Sequence, residues 1–400
     1  MQNVILISVD CLRADHAGYT KDAKLKPPTM IDLADKGYAY ENCICQAPFT
    51  TTSHASMLTG LYPFEHGVRH LYGEQLDENT KMIQHDMRDR GYSTHALVSC
   101  FHMTHTEFQS GFDSFRYEPT VEDDNGRGQY STAKTTTDRA IDILKKHDKT
   151  FLFIHYFDIH THTGYEYEQL YRDEIMEVDK QISRLVDFCD DDTLFIITGD
   201  HGKKWSGEHN FPYLNPRNPD VDPLPCKMTD ISGGHGAELY DESIRVPLIA
   251  WSSEQSSLYS KIGTYVHPVQ TVDIRSLIKF ELGEEEQFKD KRSEFAYMET
   301  YSPDQLFKQG IPQIGIRTGE WKLICYQTEL DKSNRGLVPA ELYNLEDDPS
   351  EEQNIIKDES LRAFKLFWQL LAINRDNMPV VDEIPLNDKV KKRLEGLGYI

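Results

Sequence analysis

Several things are scarce in this chain, and each scarcity removes a class of protein. No apolar run approaches the ~20 residues that a bilayer-spanning helix requires, so no membrane span is expected. The first residues carry no basic segment and no small-residue cleavage pattern. Met1-Gln2-Asn3 leads straight into Val4-Ile5-Leu6-Ile7, which reads as a strand rather than a secretory leader. Cysteine is sparse: seven residues, at 11, 43, 45, 100, 189, 226 and 325. An odd, scattered set fits reduced thiols in a cytoplasmic protein better than a disulfide framework, and Cys43 and Cys45 read as small apolar residues beside a strand. Positive charge is also short, with 43 Lys+Arg against 66 Asp+Glu and a net charge of −23. Such a surface repels nucleic acid and anionic membranes, so neither is expected as a partner. A small anionic substrate remains compatible, because bound divalent cations can dominate the field inside a site. Internal repeats and low-complexity tracts are missing too.

What is present describes a folded globular chain. Hydrophobic residues make up 38% and aromatic residues 11%. Single cores stop growing near ~250 to 300 residues, so 400 residues imply two unequal parts. We place them at 1–290, a catalytic α/β domain, and 291–400, a small α+β C-terminal subdomain.

Residues 3–9 form an unbroken apolar run ending at Asp10, the pattern of a strand buried on both faces. A helix is expected over 28–36, closed by Gly37, then a strand over 38–45. A helix starts near Ser53 after a threonine cluster. Another spans 80–90, followed by a strand over 93–99. A helix over 132–146 leads to a strand over 151–157 that ends at Asp158, and a helix around 175–185 leads to a strand over 194–198 that ends near Asp200. The alternation implies a doubly wound, largely parallel central sheet. The segment 102–130 is irregular. Residues 211–230 hold five prolines and read as a long surface loop. Short β runs at 314–317 and 321–325 precede a helix over 360–374.

Three strands thus deliver a carboxylate at or just beyond their C-terminal ends, where open α/β sheets gather their ligand sites. Asp10, Asp200 and His201 supply oxygen and imidazole donors suited to Zn or Mn, with Ca or Mg as harder alternatives. Asp158 and His162, four apart in a stretch that also holds His155 and His160, could reach one ion if the loop curls. His209 and His235 add imidazoles beside glycines that let backbone approach a ligand closely. Thr50-Thr51-Thr52-Ser53 either caps a helix or presents a nucleophilic hydroxyl at a helix N-terminus, where free N–H groups favour an incoming anion.

Five ordered motifs resemble the sulfatase family within the alkaline-phosphatase superfamily. They are Asn3 to Asp10 with Leu12-Arg13-Ala14-Asp15-His16; Ser53 to Gly60 with Leu61-Tyr62-Pro63 and Glu65-His66-Gly67-Val68; Leu239 to Ile249; Glu341-Leu342-Tyr343-Asn344-Leu345 with Asp348-Pro349; and Leu397-Gly398-Tyr399-Ile400. Sulfatases carry Cys or Ser, converted to formylglycine, where this chain has Thr50. They place Pro and Arg where it has Thr52 and His54, and many have a second aspartate where it has Cys11. Threonine cannot become formylglycine. A threonine nucleophile is similar instead to the superfamily's phosphodiesterases and phospho-group transferases. That resemblance implies one cation held by Asp10, Thr50, Asp200 and His201, and a second by Asp158, His162 and His235. It further implies a hydrolase that cleaves phosphoesters through a covalent phospho-threonine, with His160 or His54 contacting substrate oxygens or assisting the leaving group. Sulfate-ester hydrolysis without formylglycine, transfer of the phospho group to an alcohol, and an inactive binding protein are the alternatives.

Overall fold

The structure, a computed structural model, describes residues 3–69, 74–104, 107–122, 129–161, 168–189, 192–203, 236, 238–252, 263–284, 288, 294–300, 313–329 and 335–373. Eight strands make the main sheet, in the order Gly263–Tyr265, Tyr38–Tyr40, Leu248–Ser252, Thr193–Gly199, Asn3–Val9, Thr150–Tyr156, Ser93–Leu97 and Ser114–Arg116. All neighbours run parallel except Leu248–Ser252, which is antiparallel to both of its partners. The expected doubly wound, largely parallel sheet is therefore the observed architecture.

Asn3–Val9 occupies a central position because Val4 to Val9 can be buried on both faces, and every one of those residues is. Its pleat separates two cores. Val4 and Leu6 point into one core with Phe151, Phe153, Leu194 and Ile196; Ile5, Ile7 and Val9 point into the other with Leu152, Ile154, Phe195 and Ile197. Helices Pro28–Lys36, Ala133–Leu144 and Glu168–Phe188 cover the second face, while Thr50–Thr59 and Ile274–Glu281 cover the first. Pro28 opens its helix at the first position, where a missing N–H costs nothing, and Asp179 accepts hydrogen bonds there from the Thr29 and Met30 amides at 3.0 and 2.8 Å.

Two expectations shift. The run 38–45 is two strands, not one: Tyr38–Tyr40 joins the main sheet, whereas Cys43–Ile44 pairs with Arg245–Val246 and Val269–Gln270 in a separate three-stranded sheet. A period-two pattern does not show a change of partner at Glu41-Asn42. The helix placed over 80–90 begins later, at Ile83, behind an extended Met82 whose amide donates to His85 Nδ1 at 3.1 Å. The segment 102–130 includes the edge strand Ser114–Arg116 and a two-stranded hairpin of Val121–Glu122 with Gln129–Tyr130. The loop expected over 211–230 lies outside the described residues.

An antiparallel sheet of Ala296–Thr300, Gln313–Arg317, Trp321–Glu329 and Arg335–Asn344 packs with helix Ser360–Ile373. This is the small α+β element expected at the C-terminus, and we propose residue 290 as its boundary. A buried charge network joins it to the main sheet's side of the chain: Lys322 Nζ lies 2.5 Å from Asp241 and 2.6 Å from Glu351, and Arg317 meets Asp241 through two nitrogens at 3.0 and 2.9 Å. Among the described residues no helix is long and apolar enough to cross a membrane.

Candidate active site

Register brings the chemistry together. Val9 pairs with Gly199 on one side and Tyr156 on the other, so Asp10 and Asp200 leave adjacent strands at the same edge. Ser8 pairs with His155 and Thr198, which places Ser8, His155, Asp10 and Asp200 on the face covered by Thr50–Thr59. That helix is buried at all ten positions although six of them are hydroxyl-bearing, and it starts at Thr50 behind an extended Phe49. Ser53 Oγ donates to the Asp200 carbonyl at 2.5 Å, tying its first turn to the strand end. The backbone bends sharply after both aspartates. Cys11 sits at φ +60°, a region non-glycine residues seldom occupy, and its amide donates to Asp200 Oδ1 at 3.1 Å. Gly202 lies so close to residues 242 and 243 that a Cβ would stand 2.0 Å from the Glu242 carbonyl oxygen.

Thr50 Oγ1 is 3.3 Å from Asp10 Oδ2 and 3.3 Å from His201 Nε2. His201 Nε2 is 3.4 Å from Asp200 Oδ2 and 4.0 Å from Asp10 Oδ1. A tetrahedral cation with N and O ligands at about 2.0–2.2 Å has ligand–ligand edges of about 3.3–3.5 Å, so three of these four separations already match and the fourth closes with a small shift. Asp10, Asp200 and His201 are fully buried and Thr50 nearly so. Burial pushes the Asp10 carboxyl above the usual range, against the pull of His201; burial and then the neighbouring Asp10 raise Asp200. Asp10 Oδ1 and Asp200 Oδ2 have no hydrogen-bond partner among the described residues. Two facing, buried carboxylates with orphaned oxygens, an imidazole and a hydroxyl form a donor set that a divalent cation satisfies. The ring of His201 is oriented from behind, Nδ1 standing 2.9 Å from the Gly202 carbonyl oxygen.

The other expected residues fall in different places. His54 is wholly buried beneath Thr50: Nδ1 donates to the Thr50 carbonyl at 2.7 Å, and Nε2 accepts from the Ser8 hydroxyl at 2.9 Å. Burial depresses its pKa to about 3, so the ring is neutral. His160 stacks on Phe157 at 4.3 Å and stands near Asp10 and Cys11. Asp158 Oδ1 accepts from the Ala133 amide at 2.9 Å, at the start of helix Ala133–Leu144, and burial raises its pKa to about 7. His162 and His235, like His209, lie outside the described residues.

Sequence reasoning noted His155 in its histidine-rich stretch but gave no role to it, to Cys100 or to Lys203. His155 Nε2 lies 3.3 Å from Asp10 Oδ2, and Lys203 Nζ donates to the His160 carbonyl at 3.3 Å. One signal was available for His155. It sits two residues before the predicted strand end, on the parity of the aspartate-bearing face.

An α/β sheet with a buried carboxylate–imidazole cluster and a hydroxyl at its C-terminal edge presents a donor set for a divalent cation where such sheets gather their ligand sites. The chain belongs to the sulfatase family, whose model matches residues 2–273. It is 25% identical over 224 residues to GPI ethanolamine phosphate transferase 3 of Schizosaccharomyces pombe, covering 52% of this chain and 23% of that protein. To an ulvan-active sulfatase of Formosa agariphila it is 25% identical over 242 residues, 55% of this chain and 43% of that one. The matches thus span less than half of these relatives' own length. Among solved structures, the phosphonate monoester hydrolase of Agrobacterium radiobacter aligns with a TM-score of 0.66 at 17% identity, over 97% of this chain and 99% of the other. A protein solved with its substrate D-glucosamine-2-N,6-O-disulfate aligns with a TM-score of 0.67 at 17% identity, over the same shares.

Proposed function

We propose that this chain hydrolyses small phosphoesters, diester or monoester, with Thr50 as nucleophile and a divalent cation held by Asp10, Thr50, Asp200 and His201. The observation that carries the reading is the position of Thr50 Oγ1, 3.3 Å from both Asp10 Oδ2 and His201 Nε2 at the mouth of the carboxylate pair. When bound, the cation would lower the cost of ionising the hydroxyl and neutralise charge on the phosphoryl oxygens. Zinc and manganese suit the mixed carboxylate and imidazole donors best.

The chain's own residues do the rest. Thr50 Oγ attacks phosphorus in line; the new O–P bond forms as the ester bond to the alcohol breaks, and the alcohol leaves with a proton. Water then cleaves the phospho-threonine, releasing phosphate or a phosphomonoester and restoring the hydroxyl. The first turn of Thr50–Thr59 brings the positive end of the helix dipole to the incoming anion. His54, with both ring nitrogens engaged, fixes the turn that carries Thr50, and His160 is left as the imidazole to contact substrate oxygens. A second cation at Asp158, His162 and His235 belongs to the same reading. Cys11, Cys43, Cys45, Cys100 and Cys325 are buried free thiols, which accords with a reducing, cytoplasmic setting.

Sulfate-ester hydrolysis is the second reading, favoured by the family and by the neighbour solved with a sulfated sugar, and opposed by a threonine that cannot become formylglycine. The test compares nitrophenyl phosphate, bis-nitrophenyl phosphate and nitrophenyl sulfate with metal-reconstituted protein and with Thr50→Ala. Phosphoester turnover that needs metal and collapses in the variant supports the proposal. Sulfate turnover alone, or phosphoester turnover indifferent to Thr50, refutes it.

A further inference from the structure

We infer that Asp10, Cys100 and His155 form a further, sulfur-containing cation site, adjoining the one at Thr50 and sharing only Asp10 with it, that selects zinc over manganese, magnesium or calcium. The donor atoms of these three residues lie within 4.8 Å of one another, and all three side chains are buried. A buried cysteine alone would read as a small apolar residue. The histidine decides the matter. His155 is 0% exposed, and neither of its ring nitrogens has a hydrogen-bond partner among the described residues. Polar groups so deeply buried are nearly always hydrogen-bonded, and a cation satisfies this one.

Local structure holds the three donors in place. Ser99 Oγ donates to the His155 carbonyl at 2.6 Å, which pins the turn carrying Cys100 to the end of Thr150–Tyr156. The His54 ring packs edge-on against His155, centroids 5.1 Å apart and planes at 90°. His155 Nε2 is 3.3 Å from Asp10 Oδ2, already the edge of a zinc tetrahedron. With Zn–S near ~2.3 Å and Zn–N near ~2.0 Å, the sulfur–nitrogen edge of an occupied site is about 3.5 Å, inside the 4.8 Å that encloses the three donors. Thiolate softness sets the choice of metal.

The phosphoester reading needs only the position at Thr50, so this site stands or falls separately. Protein reconstituted with zinc and dialysed is assayed for metal per chain, and its cobalt(II) form is examined by near-ultraviolet absorption. Cys100→Ser and His155→Ala are each expected to hold one zinc ion fewer per chain than the unaltered protein. The cobalt form should show a sulfur-to-metal charge-transfer band that disappears in Cys100→Ser and survives in Cys11→Ser and in Asp200→Asn. If Cys100→Ser does not fold, X-ray absorption of the unaltered zinc protein decides through a scattering shell at about 2.3 Å from sulfur. Zinc content unchanged in both variants, no sulfur shell, or a band lost with Cys11→Ser overturns the inference. Phosphoester turnover with a single zinc and no sulfur ligand would sink this site and leave the proposed function standing. Two zinc ions with a sulfur ligand and no turnover would do the reverse.

Discussion

Replacing His54 with alanine separates a positioning role from an acid–base one. In the structure the imidazole is fully buried, donates to Thr50's carbonyl at 2.7 Å and accepts from Ser8 at 2.9 Å, with Phe153 edge-on at 5.8 Å. Alanine leaves the Ser8 hydroxyl, itself 0% exposed, without its acceptor, a loss of about 1–3 kcal/mol, and opens a ring-sized cavity worth about 2–3 kcal/mol. The expected destabilisation is therefore about 4 kcal/mol, seen as a lower urea midpoint by far-ultraviolet circular dichroism. Catalysis should suffer through geometry. A shift of Thr50 by about 1 Å costs ~100-fold in kcat, with KM little changed and the pH–rate profile unchanged in shape. His54→Gln, which keeps a donor and an acceptor near the same points, should recover part of both losses. A variant that keeps wild-type stability to within about 0.5 kcal/mol but loses one limb of the pH profile would show that His54 transfers a proton, and the positioning account would be wrong.

Other expectations follow from the same geometry. Lys322→Met strands Glu351, whose carboxyl burial already lifts to about 7 while Lys322 holds it down and Asp241 pushes it up. Because the folded pKa lies above the unfolded one, the folded state holds the extra proton across that window and stability drops as pH rises through it. Lys322→Met also removes a cation 2.5 Å from the ionised Asp241, so a loss of about 3 kcal/mol is expected at pH 5 and a larger one at pH 8; an equal loss at both pH values would contradict the assignment. Gly202→Ala drives a Cβ into the Glu242 carbonyl, so it should destabilise by more than about 2 kcal/mol and depress turnover together; unchanged thermal unfolding would refute the contact. Asp179→Ala removes the acceptor for the Thr29 and Met30 amides and should cost about 1–2 kcal/mol in urea unfolding with turnover intact. Thr50→Ser should retain turnover within about 100-fold while Thr50→Ala loses several orders of magnitude, measured with bis-nitrophenyl phosphate; equal activities would remove Thr50 from the chemistry.

Local sequence determined a good deal of this protein. Asn3–Val9 was legible because a strand buried on both faces needs an unbroken apolar run, and Asp10 could end it only at a ligand-bearing edge. Pro28–Lys36 was legible because proline at the first position and Gly37 after the last are written in the chain itself. The same strand-end logic exposed Asp200, and resemblance to a family marked Thr50 and His201.

What the sequence could not determine were the partners. Thr50–Thr59 carries hydroxyls and a histidine at positions a surface helix would show to water, yet it is wholly buried, because its neighbours are strand ends and not solvent. Cys43–Ile44 leaves the main sheet for a smaller one. His155 and Cys100 meet Asp10 from 145 and 90 residues away, through a register that pairs Ser8 with His155. Periodicity along the chain reports which way each side chain points. Which side chains it meets there depends on strand order and register, and those are settled only when the cores on both faces of the sheet close together.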